Sequence, residues 1–482
     1  MDNSRLSFAL LAFVLLISSQ FRMQAQSTNI SFSEQGTHVF ASFPPYSAYT
    51  TLFDANGLPY VYAAAAELGL IVFDISDPSD IQVVQSIPPA SFQGLKVMNL
   101  HQQGENLYLS LGGFAGISQL SGLAVVSLAN PANPEILDMW ASEDYSHGAP
   151  VVFSDGNIAY VGAMESGVLI FDVSEPDNIQ FLSQIIPYPN FPEPPAFFSQ
   201  PAARGLNLRN DTLFVCYDAK GFRLVDVSNP SQPVELSMHM NTELHATARP
   251  AYNEVVLVGP YAYVSVDYCG LEVIDLSGDE PETIFWYNPW ECSPVNWACS
   301  PGHTNQFRLS GDSLLFVSGA DTEVLVFSLS NPAEPEHIAT YGVPENQSVT
   351  WGIGLRDNQL ALAFVHMQQN CGGIVPYSSN WGGMSILEWQ SEIVTGLDGQ
   401  SAESLHCFPN PSPDFFVVEL PESWLSAEVE VWSMHGTRVY SSTQLAQQIT
   451  IDASQWPSGM YIVRAFNQNS PEKTVVSKWV KR

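Results

Sequence analysis

The sequence predicts an all-β protein: repeated four-stranded units followed by a small, separate β domain. Three observations carry that prediction. A ten-residue phrase recurs along the chain, as in "GLIVFDISDP" at 69–78 and "GVLIFDVSEP" at 167–176. Short apolar runs surround it, punctuated by Asp, Asn, Gly and Pro. Hydrophobic residues make up 45 % of the 482 residues and charged ones only 13 %. That balance suits many short strands and excludes a disordered chain.

In chain order, the first segment is "MDNSRLSFALLAFVLLISSQFRMQAQ". Arg5 gives a positive start, Leu6 to Ile17 an apolar stretch, and Ala25 a small residue at its end. Residues 1–25 therefore read as a secretory signal peptide, too short to span a bilayer. No later stretch is apolar for long enough to cross a membrane, so the mature chain carries no predicted transmembrane segment.

Residues 26–390 hold the repeat. The phrase occurs seven times, starting at Gly69, Gly122, Gly167, Gly221, Gly270, Glu323 and Gly383. A second apolar run precedes each copy, and a tight-turn signal such as "SDGN" (154–157) or "LSGD" (309–312) precedes most of those runs. A further apolar run follows the phrase, as in "IQFLSQI" (179–185). Each unit thus reads as four antiparallel strands, A to D, with the phrase supplying strand C. The spacing of the copies is that of propeller blades, so the prediction is a seven-bladed β-propeller. A closed ring must hide its first and last edges. The seventh copy lacks a D strand, and "HVFASFPP" (38–45) matches the first unit's "QVVQSIPP" (82–89). An N-terminal strand is therefore expected to close the last blade.

The phrase resembles the LVIVD repeat of secreted bacterial β-propellers over roughly residues 37–390. That resemblance implies an architecture and is silent on activity. Its Asp recurs at Asp74, Asp172, Asp226 and Asp275, replaced by Ser127 and Ser328 in two copies. A position repeated around a ring is a structural device. Asp followed two residues on by Ser, and then by Pro, suits a side chain that satisfies backbone donors at a turn.

Residues 391–404, "SEIVTGLDGQSAES", read as a polar linker, and 405–482 as a small Ig-like β-sandwich with alternating strands and Gly turns. Its motifs resemble the C-terminal sorting domain of type IX secretion in Bacteroidetes. Phe408 with Pro409, Asn410 and Pro411 matches the opening motif, and Gly436 with Arg438 the Gly–basic turn. Trp456 to Tyr461, with Gly459, matches the third motif, and Lys478 to Arg482 the closing basic strand. Cys407 and Phe408 depart slightly from the usual start, and Thr437 is inserted before the Arg. The resemblance implies export through the periplasm, the type IX machinery as partner, and a mature propeller released or held at the cell surface.

The formal net charge is −33, from 49 acidic and 16 basic residues. Such a surface excludes nucleic-acid binding, which needs clustered Lys and Arg. No HExxH, GxSxG, P-loop or dinucleotide fingerprint is present. The chemistry-bearing candidates lie just before the repeat Gly, where five copies carry an acid: Glu67, Glu165, Asp218, Asp267 and Asp321. Placed on one face around the channel mouth, they form a candidate cation ring whose oxygen ligands suit Ca²⁺. His147 and His303, in the connections reaching that face, are candidate ligand-binding residues. Cys292 and Cys299 are expected to close a small disulfide loop, with Cys269 and Cys371 the next pair. The loops at 188–203, 286–303 and 368–383 are aromatic-rich and suit a protein or glycan partner.

The leading expectation is an exported, non-catalytic binding or scaffold module. A hydrolase or lyase acting on polysaccharide at the acidic mouth is the alternative, and a structural component of an extracellular matrix the third.

Overall fold

The computed structural model describes residues 27–40, 50–113, 119–193, 202–247, 251–290, 292, 302–319, 323–343, 348–366, 379, 381–394, 405–421, 424, 426–433, 437–444, 447–467 and 474–482. The chain divides into two compact units, Ser27–Val394 and Thr395–Arg482. The signal-peptide segment and most of the linker lie outside the described residues. No helix among them is long and apolar enough to cross a membrane.

The first unit consists of four-stranded antiparallel sheets, seven among the described residues. In sheet 1 the A strand is Thr50–Phe53, B is Tyr60–Ala64, C is Leu70–Asp74 and D is Gln82–Ile87. Sheets 2 to 6 repeat this order, with A strands Val97–Gln103, Val151–Asp155, Gly205–Arg209, Glu254–Val258 and Phe307–Ser310. In sheet 7 the strands Thr350–Arg356, Gln359–Phe364 and Gly383–Val394 are joined by Ser27–Val39 as the fourth.

The N-terminal strand therefore closes the last sheet, as expected, but from residues upstream of the expected segment. Ser27–Val39 pairs antiparallel with Val394–Gly383, with one register shift between Glu34 and Gly36, and only His38 and Val39 belong to the 38–45 stretch. The reason is length: the last C strand runs through Val394, past the predicted boundary at 390, and needs a partner equally long. Residues 391–394 are thus strand and not linker.

Continuous burial of the B and C strands explains their unbroken apolar runs. In sheet 1, Val61, Ala63 and Phe73 pack against Ala361, Ala363 and Ile386 of sheet 7. Tyr62, Ala64 and Val72, on the opposite face, pack against Leu107, Leu109 and Ala124 of sheet 2. Separate cores follow between sheets 2 and 3, 3 and 4, 4 and 5, 5 and 6, and 6 and 7. Each sheet is sandwiched by two neighbours, so alternate residues on both faces are withdrawn from water. The A strand of each sheet also lies against the A strand of the next, and that of sheet 7 against that of sheet 1. The cycle closes.

The repeated phrase explains itself locally. Gly167 sits at φ +74°, and a Cβ there would lie 2.2 Å from the Ile185 carbonyl oxygen at the end of strand D. Only glycine fits both demands. Asp172 Oδ1 accepts the Ser174 backbone N–H at 2.9 Å, and Asp74, Asp226 and Asp275 each take the same bond at 2.8 Å. Ser127 and Ser328 substitute a hydroxyl, accepting from Ala129 and Ser330 at longer range, 3.2 and 3.3 Å. The bonds with Ser174 hold the Asp172 carboxyl below its usual pKa range. The Asp is a turn residue.

The second unit has a three-stranded sheet (His406–Phe408, Phe415–Glu419, Gln448–Asp452) and a four-stranded one (Arg438–Gln444, Ala427–Ser433, Gly459–Asn467, Thr474–Lys481). Phe416 and Val418 from the first share one core with Val431, Val463 and Trp479 from the second. Phe416 stacks on Trp479 with centroids 4.2 Å apart.

Candidate functional site

The first residues of the A strands meet at one end of the ring, and there they line a cavity of about 500 Å³ including its open mouth. Every sheet contributes: Thr50, Asn99, Pro150, Arg204, Asn253, Asn305 and Trp351, from or just before the A strands of sheets 1 to 7. Met98, Glu254 and Gln306 complete the wall. Hydrogen bonds between neighbouring sheets hold parts of this wall in place. Asn305 Nδ2 donates to the Thr350 carbonyl at 3.3 Å, and Gln306 Oε1 accepts the Ile353 N–H at 3.1 Å. Two polar atoms have no such anchor: Asn253 Oδ1 and Thr50 Oγ1 lack a hydrogen-bond partner, although their residues are only 8 % and 4 % exposed.

Charge at this site comes in pairs. Glu254 lies 3.5 Å from Arg308, and Asp218 lies 3.5 Å from Arg204. Burial pushes the Glu254 carboxyl up to about 7, against the pull of Arg308. Burial likewise raises the Asp218 carboxyl, with Arg204 opposing it. Farther along the sheet 2 A strand, burial and then Arg308 push His101 down to about 4, and its Nδ1 accepts the Ser154 N–H at 3.2 Å.

The acids before the repeat Gly do not form an open ring of ligands. Asp218 and Asp267 stand three residues before the Gly at φ +48°, a conformation Asp tolerates better than most residues. Glu67 and Glu165 stand one residue later, and Ala66 and Met164 take the positive-φ position in their sheets. Each described acid faces a base from a connection leading into an A strand. Glu67 pairs with Lys96, Glu165 with His147 at 3.4 Å, Asp218 with Arg204, and Asp267 with His303 at 2.5 Å. Asp321 lies outside the described residues. Among the described residues, no three His, Cys, Asp or Glu side chains gather to hold a metal ion.

The two histidines differ. His147 is half-exposed and also meets Ser166 Oγ at 3.1 Å, while His303 is fully buried with Asp267. The disulfide is a correction. Cys292 pairs with Cys269, Cα–Cα 4.5 Å, because the sheet 5 B–C turn carrying Cys269 lies beside the loop leaving strand D. Cys299 and Cys371 lie outside the described residues, as does most of the loops at 188–203, 286–303 and 368–383. The described start of the first loop is anchored by Arg223, a fully buried side chain that donates to Glu235 at 2.8 Å and lies 5.1 Å from the Phe191 ring centroid. Sequence patterning missed the channel wall, because A strands carry no shared phrase.

In the second unit the motif residues clasp the last strand. Asn410 Nδ2 donates to the Lys478 carbonyl at 2.8 Å, and Asn410 Oδ1 accepts the Val480 N–H at 2.9 Å. Trp479 Nε1 donates to the Pro409 carbonyl at 3.0 Å, and Tyr461 OH to the Pro457 carbonyl at 2.7 Å. Arg438 pairs with Glu430 at 2.5 Å, Gly459 and Lys478 lie on the last two strands, and Pro411 follows Asn410 in the clasped turn. Gly436 is outside the described residues. Lys481, which sequence reasoning did not single out, donates to three carbonyls, those of Ala453, Ser454 and Trp456.

Comparison with known proteins agrees with these two units. The LVIVD repeat matches residues 59–87, 151–184, 202–241 and 252–279. The secretion system C-terminal sorting domain matches residues 406–482. No curated protein matches the chain. Among solved structures, the WD40 repeats of RRP9 align with a TM-score of 0.52 at 11 % identity, covering 75 % of this chain and 100 % of that one. PorZ, a surface component of the type IX secretion system of Porphyromonas gingivalis, aligns at 0.41 and 12 % identity, covering 89 % and 65 %. The WD40 propeller domain of Doa1 aligns at 0.48 and 8 % identity, covering 74 % and 97 %. The first of these shows a β-propeller-like fold. The chain carries LVIVD repeats and a type IX secretion C-terminal sorting domain of the Bacteroidetes kind, which directs it to the outer cell surface or the medium.

Proposed function

We propose that the chain is an exported seven-bladed β-propeller acting as a non-catalytic binding module, its ligand seated at the channel mouth, with an Ig-like sandwich as its export signal. The observation that carries this reading is the cavity to which all seven sheets contribute a residue at the start of strand A. A site assembled from every repeat unit is pre-formed by the ring itself, which favours binding without rearrangement. The paired acids around it act as fasteners between connections and turns.

The test compares wild type with Trp351→Ala and Asn99→Ala in binding to isolated envelope fractions of the producing bacterium. The expected outcome is saturable binding that both variants weaken at least ~10-fold, with no product released. Binding that neither variant changes overturns the reading.

One observation favours a second reading, an extracellular hydrolase or lyase acting on polysaccharide. Glu254 lines the cavity with its carboxyl near 7, a range suited to general acid–base work. Release of reducing ends or unsaturated uronides from polysaccharide, abolished by Glu254→Gln, establishes that reading in place of the first.

A further inference from the structure

The channel-mouth wall says what kind of ligand it takes. Resting on the binding reading above, we infer that the cavity receives a neutral, polyhydroxylated group, the chemistry of an uncharged sugar residue at the end of a glycan.

Charge at the cavity favours a neutral guest. The protein as a whole carries −33, yet the charged residues lining this cavity are one Arg and one Glu. Each has its own opposite partner at 3.5 Å, Asp218 for Arg204 and Arg308 for Glu254. An anionic ligand meets Glu254 and gains no unspent cation. A cationic ligand meets Arg204 and Arg308 and gains no unspent carboxylate. A net charge brought into such a site is desolvated without compensation.

Hydrogen-bonding groups on the wall point the same way. Asn99, Asn253, Asn305 and Gln306 line the cavity with side-chain amides, and Thr50 adds a hydroxyl. An amide both donates and accepts, so this wall suits a guest that does the same. A hydroxyl does both, whereas a carboxylate only accepts.

Shape agrees with both. Met98, Pro150 and Trp351 give the same open cavity apolar wall beside its polar groups. A sugar ring presents hydroxyl edges and C–H faces, which is the mixture this wall offers. Water alone satisfies the polar groups but leaves the apolar wall without a role.

The experiment uses the full chain without its first 25 residues. It is titrated with glucose, galactose, mannose and N-acetylglucosamine and their short oligomers. Glucuronic acid and glucosamine serve as anionic and cationic counterparts, read by saturation-transfer NMR and calorimetry. At least one neutral sugar is expected to bind, at least ~10-fold more tightly than its charged counterparts. Asn253→Leu and the isosteric Thr50→Val are each expected to weaken that binding ~10-fold or more, with the melting temperature of Thr50→Val confirming an intact fold. Three results overturn the inference: no neutral sugar binds, the charged sugars bind as well, or both variants bind like wild type. Channel-dependent envelope binding with a silent sugar panel sinks this inference alone. Envelope binding indifferent to the channel sinks the binding reading beneath it.

Discussion

Replacing Gly167 by Ala tests the reason the repeat begins with glycine. Two costs add at this position. An L-residue at φ +74° loses about 1–2 kcal/mol relative to its preferred conformations. The new Cβ also lies 2.2 Å from the Ile185 oxygen, so the end of strand D has to retreat. Ile185 is paired with Val168 and packs into the core between sheets 3 and 4. Moving it loosens one ladder hydrogen bond, about 1 kcal/mol, and some apolar contact besides. The total is about 2–4 kcal/mol. Gly156 in the same sheet is the control, at φ +57° with nothing within 4 Å of its Cβ position. Gly156→Ala therefore carries only the conformational part, about 1–2 kcal/mol. Both substitutions reduce the freedom of the unfolded chain alike, so that effect cancels in the comparison. Urea unfolding of the full chain, followed by tryptophan fluorescence, separates them in the transition of the first unit. Equal destabilisation by the two variants would show that the close approach to Ile185 is not what the glycine serves.

Other perturbations discriminate equally directly. Asp172→Asn is expected to keep the turn bond to Ser174 and leave the urea midpoint nearly unchanged, while Asp172→Ala costs about 1 kcal/mol and leaves ligand binding untouched. Glu254 has its folded pKa raised to about 7, so it removes stability as pH rises from 4.5 to 7. His101, lowered to about 4, adds stability as pH rises from 4 to 6.5. The two nearly cancel in wild type over their shared window, each amounting to about 3 kcal/mol at most. Urea midpoints measured from pH 4.5 to 6.5 should therefore rise with pH in Glu254→Gln and fall in His101→Asn. Cys292→Ser opens the link to Cys269 across 23 residues and is expected to cost about 3 kcal/mol, an effect that reductant reproduces in wild type and not in the variant. Millimolar Ca²⁺ is expected to leave the melting temperature of the full chain unchanged, because the described rim acids each pair with a neighbouring Lys, Arg or His and do not converge on one point.

What was legible in the sequence was whatever depends on neighbours along the chain. Asp74, Asp172, Asp226 and Asp275 each satisfy a donor two residues away, so the turn is written within the phrase. The C-terminal motifs were readable for the same reason, since each fixes a local turn or the last strand. What was not legible depends on which loops meet. Cys269 finds Cys292 and not Cys371 because a B–C turn lies beside the loop leaving strand D of its own sheet. The acids looked equivalent when counted from the glycine, but a one-residue offset separates Asp218 and Asp267, held at positive φ, from Glu67 and Glu165. Their basic partners come from connections of different lengths, which no fixed spacing announces. A closed ring needs the N-terminal strand Ser27–Val39, yet the position of that strand is set by the length of Gly383–Val394, which a periodic reading truncates.

The distribution of bases sharpens what the channel mouth is for. Only 16 Lys and Arg serve a chain with 49 acids, yet Lys96, Arg204 and Arg308 all stand at or just before the start of an A strand, each beside its own carboxylate. If the cavity were a cation site, spending scarce positive charge there would work against it. If it were an anion site, those bases would not be neutralised by Glu67, Asp218 and Glu254. Pairing them instead leaves a mouth of little net charge in an otherwise strongly negative protein. The surface field fades within about 8 Å at physiological ionic strength, so a neutral ligand reaches the mouth without electrostatic help or hindrance. Selection at this site then falls to hydrogen-bond geometry and shape, and those are set by Asn253, Thr50 and the apolar wall that the ring holds in place.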